Sequence, residues 1–130
     1  MLETGIKGKQ ELLVTEDNTA NKVGSGGLEV FATPALIALA EKTALESVSE
    51  YLEEGQSTVG TKIDIAHIAA TPVGMKVICE TELTEIDRRR LVFSVNVFDE
   101  REKIAEGTHE RFIVDSAKFQ TKADGKMSQE

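Results

Sequence analysis

Three polar residues stand where the surrounding pattern calls for apolar or purely structural ones: Glu41, His67 and Thr33. A carboxylate, an imidazole and a hydroxyl can together polarise a carbonyl, deliver a nucleophile and move a proton. From Phe31 to Tyr51 the chain reads as one amphipathic helix, with Ile37, Ala38, Ala44, Leu45, Val48 and Leu52 on one stripe. Glu41 lies inside that stripe, while Lys42, Glu46, Glu50 and Glu53 gather opposite. A carboxylate on a core-facing stripe is costly unless it is paired or does chemistry. Between Thr61 and Ala69, alternation puts Thr61, Ile63, Ile65, His67 and Ala69 on one face, so His67 should point toward the helix. Alone, it would be a hydrogen-bonded core histidine. The misplaced acid on the facing element turns the reading toward a paired site. Thr33-Pro34 is a helix start, with Thr as N-cap and Pro at the first helical position. As a cap, Thr33 is structural. It also sits beside the free N–H groups at the positive end of a helix, a favourable place for a polarised carbonyl.

The elements that must hold these groups follow in a simple order. Glu11–Thr15, within Lys9–Thr15, forms a first strand, followed by a polar loop over Glu16–Lys22 and a glycine stretch, Gly24–Gly27. The helix runs to about Glu53 and stops at Gly55. Four strands are expected after it: Thr58–Ala69, Met75–Ile86, Arg90–Phe98 and Lys103–Val114. Val77, Cys79, Thr81 and Leu83 share one face, as do Leu91, Phe93, Val95 and Val97. The turns at Asp87–Arg89 and Asp99–Glu102 are short, so the later strands should be antiparallel. This gives an α+β fold in which an antiparallel sheet wraps one long central helix, the hot-dog architecture. A single domain over residues 1–118 is expected, with a polar, disordered tail over 119–130. The open sheet edge calls for a homodimer or a dimer of dimers.

Composition narrows the function classes. The 130 residues carry a net charge of −8, which argues against nucleic acid or an anionic membrane as partner. The single cysteine, Cys79, excludes an internal disulfide and reads as a core thiol. Two histidines at unrelated positions make no metal site. No basic-then-apolar leader and no run of ~18 apolar residues is present, so a cytoplasmic protein is expected. Arg88–Arg90 reads as a solvated turn, although it could meet the phosphates of coenzyme A. His109 reads as structural, and Glu80, Glu82 and Glu85 as a solvated face.

An ordered set of segments resembles the hot-dog thioesterases related to fluoroacetyl-CoA thioesterase. The set is Val30–Thr33, Glu41, Val59–Thr61, His67–Gly74 and Gly107–Arg111, within roughly residues 7 to 120. The resemblance implies an acyl-CoA substrate, thioester hydrolysis, and no cofactor beyond the coenzyme A of the substrate. It implies catalytic roles for Thr33, Glu41 and His67. It also implies substrate contacts from Phe31, Gly60 (beside the acyl group) and Arg111 (on the last strand). One stretch departs from the family: the aromatic lid expected before Thr33 is replaced by Gly24-Ser25-Gly26-Gly27-Leu28. Hydrolysis therefore carries over and a preference for a fluorinated acetyl group does not. Two rivals remain: an acyl-thioester hydratase or dehydratase, whose signature loop is not found, and a non-catalytic acyl-CoA sensor, which has no need of all three polar groups.

Overall fold

The computed structural model describes residues 1–127. Its elements, in chain order, are strand β1 (Lys7–Leu13), a 3₁₀ turn (Glu16–Asn18), the single-turn helix α1 (Ala20–Val23) and the central helix α2 (Thr33–Val48). Strands β2 (Gln56–His67), β3 (Lys76–Asp87), β4 (Arg90–Phe98) and β5 (Lys103–Asp115) follow, and then helix α3 (Ser116–Asp124). The five strands form one antiparallel sheet in the order β1-β3-β4-β5-β2. The sheet packs on α2, the expected hot-dog arrangement. Its last position leaves one side of β2 unpaired along the strand.

The core lies between α2 and the inner sheet face. Around the first half of α2, Phe31, Leu36, Leu39 and Ala40 pack with Val14, Val77, Cys79, Val95, Val97 and Ile104. Around its second half, Ala44 and Val48 pack with Leu83, Leu91, Phe93 and Ile113. The expected alternation of β3 and β4 holds, since every residue assigned inward on those strands is buried. Close approach of β1 to α2 depends on Gly8, where a Cβ would lie 2.7 Å from both Ser47 Cβ and Thr81 Oγ1.

Several expectations need correction. The buried face of α2 is Leu36, Leu39, Ala40, Thr43, Ala44 and Val48. The stripe of Ile37, Glu41 and Leu45 borders it and is only half-buried, while Ala38 is exposed. Thr43 explains the offset. Its hydroxyl donates to the Leu39 carbonyl at 2.7 Å, so a nominally polar residue fits the core face. The N-cap of α2 is Ala32, which makes no side-chain cap, and Thr33 is the first helical residue. The segment expected as a loop over Glu16–Lys22 contains the 3₁₀ turn and the start of α1, capped by the Thr19 hydroxyl accepting from Lys22 N–H. Of the tail expected over 119–130, residues 119–124 belong to helix α3 (Ser116–Asp124), with Asp115 accepting at its N-terminus from Lys118 N–H. Residues 128–130 lie outside the described residues. Among the described residues, no helix is long and apolar enough to cross a membrane.

Candidate active site

Thr33 and His67 meet, a contact the sequence reading did not specify, and for a local reason. Phe31 N–H donates to the Thr71 carbonyl at 2.8 Å and Ala32 N–H to the Asn18 carbonyl at 2.9 Å, which fixes the entry into α2. The loop after β2 is held in turn, as Ile68 N–H donates to the Ile104 carbonyl at 2.7 Å. These ties place Thr33 Oγ1 2.8 Å from His67 Nδ1. The other ring nitrogen of His67, Nε2, is buried and has no hydrogen-bond partner among the described residues. Burial pushes the imidazole below its ordinary value of 6.5, with the Ala69 backbone partly offsetting this. The ring is therefore neutral at pH 7 and able to take a proton.

The pair opens onto a depression of about 340 Å³ lined by Ala20, Ser25, Val30, Phe31, Thr33, His67, Ile68, Ala69 and Ala70. Phe31 is 1% exposed and forms part of its floor. The first-turn N–H groups of Thr33 and Ala35 have no intrahelical acceptor, and Pro34 has no N–H. The positive end of α2 thus faces the same depression.

Glu41 lies elsewhere. Eight residues along α2 from Thr33 is about 12 Å along the axis at ~1.5 Å per residue. The expected pairing of Glu41 with His67 is therefore not formed within one chain, since Glu41 stands against Gly60, seven residues before His67 on β2. Glu41 belongs to a second cluster with Gly60, Arg111 and His109. A Cβ on Gly60 would lie 2.5 Å from Glu41 Oε2, 3.3 Å from His109 Cε1 and 3.4 Å from Arg111 Nη1. A side chain at position 60 would displace the carboxylate from this place. Arg111 Nη1 stands 3.9 Å from Glu41 Oε2, with the arginine side chain 6% exposed and the glutamate 45%.

Sequence reasoning assigned Gly60 and Arg111 by resemblance and passed over two of their neighbours, Thr58 and His109. Arg111 Nε–H donates to Thr58 Oγ1 at 2.7 Å and its Nη2–H to the Thr58 carbonyl at 2.8 Å. His109 is 1% exposed. Its Nδ1 lies 2.8 Å from the Lys62 carbonyl, which can only accept, and its Nε2 lies 3.2 Å from Arg111 Nη1, which can only donate. Burial, with Arg111 adding to it, pushes this histidine down as well. The signal was available: alternation from Arg111 back along β5 puts His109 on the same inward face.

The remaining candidates fall out as solvated structure. Arg88 is exposed, and Arg90 pairs with Glu110 and Glu85 across the outer sheet face at 3.0 and 2.9 Å. Cys79 is a buried free thiol in the core. Among the described residues, no group of three or more His, Cys, Asp or Glu is placed to hold a metal.

Comparison with known proteins places the chain in a family. The family model for fluoroacetyl-CoA-specific thioesterase matches residues 14–117. The fluoroacetyl-CoA thioesterase of Streptantibioticus cattleyicolor is 39% identical over 94 residues, 72% of this chain and 68% of that protein. A solved structure of fluoroacetyl-CoA thioesterase superposes with a TM-score of 0.91 at 31% identity, covering 97% of this chain and 98% of the other. A threonine-to-serine variant of that enzyme, in complex with acetyl-CoA, gives 0.90 at 30% identity, covering 96% and 98%. A thioesterase-superfamily protein of Thermus thermophilus, 22% identical over 100% of this chain and 98% of its own, shares the fold with a TM-score of 0.90. With its Thr–His pair at the mouth of the central helix and its acid two turns further on, this chain belongs to the fluoroacetyl-CoA-specific thioesterase family of hot-dog thioester hydrolases.

Proposed function

We propose that the chain hydrolyses a short-chain acyl-CoA to the free acid and coenzyme A in the cytoplasm. The observation that carries this reading is the Thr33–His67 pair, which lines an open depression beside the N-terminus of α2. The thioester carbonyl oxygen sits at the N-terminus of α2, polarised by the Thr33 hydroxyl and the first-turn N–H groups. Glu41 takes the proton of an attacking water whose oxygen adds to the carbonyl carbon; in the covalent alternative the carboxylate itself adds. The C–S bond then breaks and the leaving thiolate receives a proton by way of His67. On the covalent route, water later hydrolyses the resulting mixed anhydride to the free acid and regenerates Glu41. The reaction needs no cofactor beyond the coenzyme A carried by the substrate.

The chain acts as a homodimer in this reading. The unpaired side of β2 is flanked by half-buried Ile65, Ile37 and Leu45, by Glu41 itself, and by Ile63 at 38% exposure. Two-fold pairing along β2 sets two α2 helices side by side in opposite directions. Thr33–His67 pairs and Glu41 carboxylates then alternate along one shared groove, and the Thr33–His67 pair of one protomer works with the acid of the other. Light scattering should report about twice the 14.2 kDa chain mass. Mixing inactive Thr33→Val and Glu41→Gln variants, after unfolding and refolding together, should restore hydrolysis, because each mixed dimer holds one intact cross-chain site. No recovery would place both groups in one protomer.

Selectivity follows from the segment before α2. Ser25 N–H and Gly26 N–H both donate to the Ala20 carbonyl, folding the glycine stretch back onto α1, and Leu28 is 70% exposed. Ser25 lines the depression, and among the described residues Phe31 is the one phenylalanine, tyrosine or tryptophan that lines it. A methyl-sized pocket contact is worth only ~1–3 kcal/mol. Free-thiol release from fluoroacetyl-, acetyl-, propionyl- and isobutyryl-CoA should therefore show no fluoroacetyl preference beyond intrinsic reactivity, with tolerance of the branched chain. A preference of ~10⁴ in kcat/KM, over ~5 kcal/mol, would mean that Gly60 and Arg111 discriminate without a lid.

A further inference from the structure

We propose that His109 is a positioning residue that holds Arg111 back from Glu41 and so keeps the carboxylate free for the reaction. This rests on the reading of Glu41 as the reacting acid. A buried arginine beside a flexible carboxylate ordinarily closes on it as a bidentate pair, at ~2.7–2.9 Å. Here the gap stays at 3.9 Å. The guanidinium is held instead by neutral acceptors: the Thr58 hydroxyl and carbonyl take Nε–H and an Nη2–H, and His109 Nε2 takes an Nη1–H at 3.2 Å.

His109 can accept only because its own proton is fixed on the other nitrogen. The Lys62 carbonyl, at the register shift between Gly60 and Lys62, accepts from Nδ1–H at 2.8 Å. That bond leaves the Nε2 lone pair directed at Arg111. Without the imidazole, an Nη1–H would lose its acceptor in a buried site, and the nearest replacement is Glu41 Oε2. A glutamate side chain with 45% exposure has the freedom to close the gap, and a paired carboxylate is a poorer base and nucleophile.

The test is a set of variants assayed for thioester hydrolysis and thermal stability. His109→Leu should lower kcat by ~10-fold or more with KM within about twofold, a coupling in the range seen for residues sharing one network. His109→Gln, whose side-chain oxygen can still accept from Arg111, should recover activity to within ~3-fold of the parent. In an Arg111→Met background, His109→Leu should change kcat by less than ~2-fold, since nothing is left to restrain. An equal loss in both backgrounds would make His109 a packing residue and overturn the proposal, as would a silent His109→Leu. Should His109→Leu not fold, a loss beyond ~10-fold in the folded His109→Gln variant overturns it as well. Glu41→Gln is measured alongside. If that variant is fully active, the reading of Glu41 has failed. If it is inactive while His109→Leu is silent, only the positioning role has failed.

Discussion

Glu41→Gln should reduce turnover by at least ~10²-fold while leaving the fold in place, the scale of losing a general base. The substitution is nearly isosteric and removes only the charge. The fold has little stake in that charge. Glu41 is half-exposed, among the described residues its one ion-pair partner is Arg111 at 3.9 Å, and Arg111 is already held by Thr58 and His109. The melting temperature should therefore move little while the rate per folded molecule collapses. A variant that melts several degrees lower and keeps its rate would make Glu41 a structural counter-charge for a buried arginine, and the hydrolytic reading would need another base. Measuring both quantities on one preparation separates the outcomes.

His67→Asn should cost a similar ~10²-fold or more in kcat, the lower end of what proton transfer contributes. Asparagine can place its amide near the Nδ1 position, so the contact with Thr33 is retained while the ability to exchange a proton at Nε2 is lost. The same variant reports on pH. Burial lowers the pKa of both His67 and His109, so both rings are neutral in the folded protein near pH 7. A histidine depressed on folding contributes stability that is fully present above its unfolded value of 6.5 and is lost as pH falls through the folded value. Melting temperature should decline below about pH 6.5 in the parent and decline less steeply in His67→Asn. The acid limb of parental turnover should fall below 6.5 as well. An acid limb above that value, or an identical pH–stability profile in the variant, would show that His67 is not the titrating ring.

The sequence by itself determined the central helix, the order of the five strands, the antiparallel sheet and the three polar residues Thr33, Glu41 and His67 as candidates, while the Thr33–His67 contact came from the structure. Strand alternation and short turns are local properties, and Arg90–Phe98 came out with the bounds the alternation gave it. His67 could be aimed from its strand neighbours alone, and the elements on which Thr33 and His67 lie meet at one end of the helix. The resemblance supplied Gly60 and Arg111, which periodicity alone would have left as a strand glycine and an inward charge. What required the tertiary structure was everything set by an angle or a third partner. The buried face of α2 is offset from the apolar stripe because Thr43 hides its hydroxyl in a backbone bond and because the end of the sheet leaves Ile37 and Leu45 half-covered. Thr33 is free for His67 because Ala32, not Thr33, is the N-cap of the helix. The distance between Glu41 and the Thr33–His67 pair is fixed by helix rise, yet which chain's carboxylate serves which pair depends on how two copies meet. His109 shows the limit most plainly. Alternation can say that a histidine points inward, but only the Lys62 carbonyl on one side and the Arg111 guanidinium on the other decide which nitrogen carries its proton.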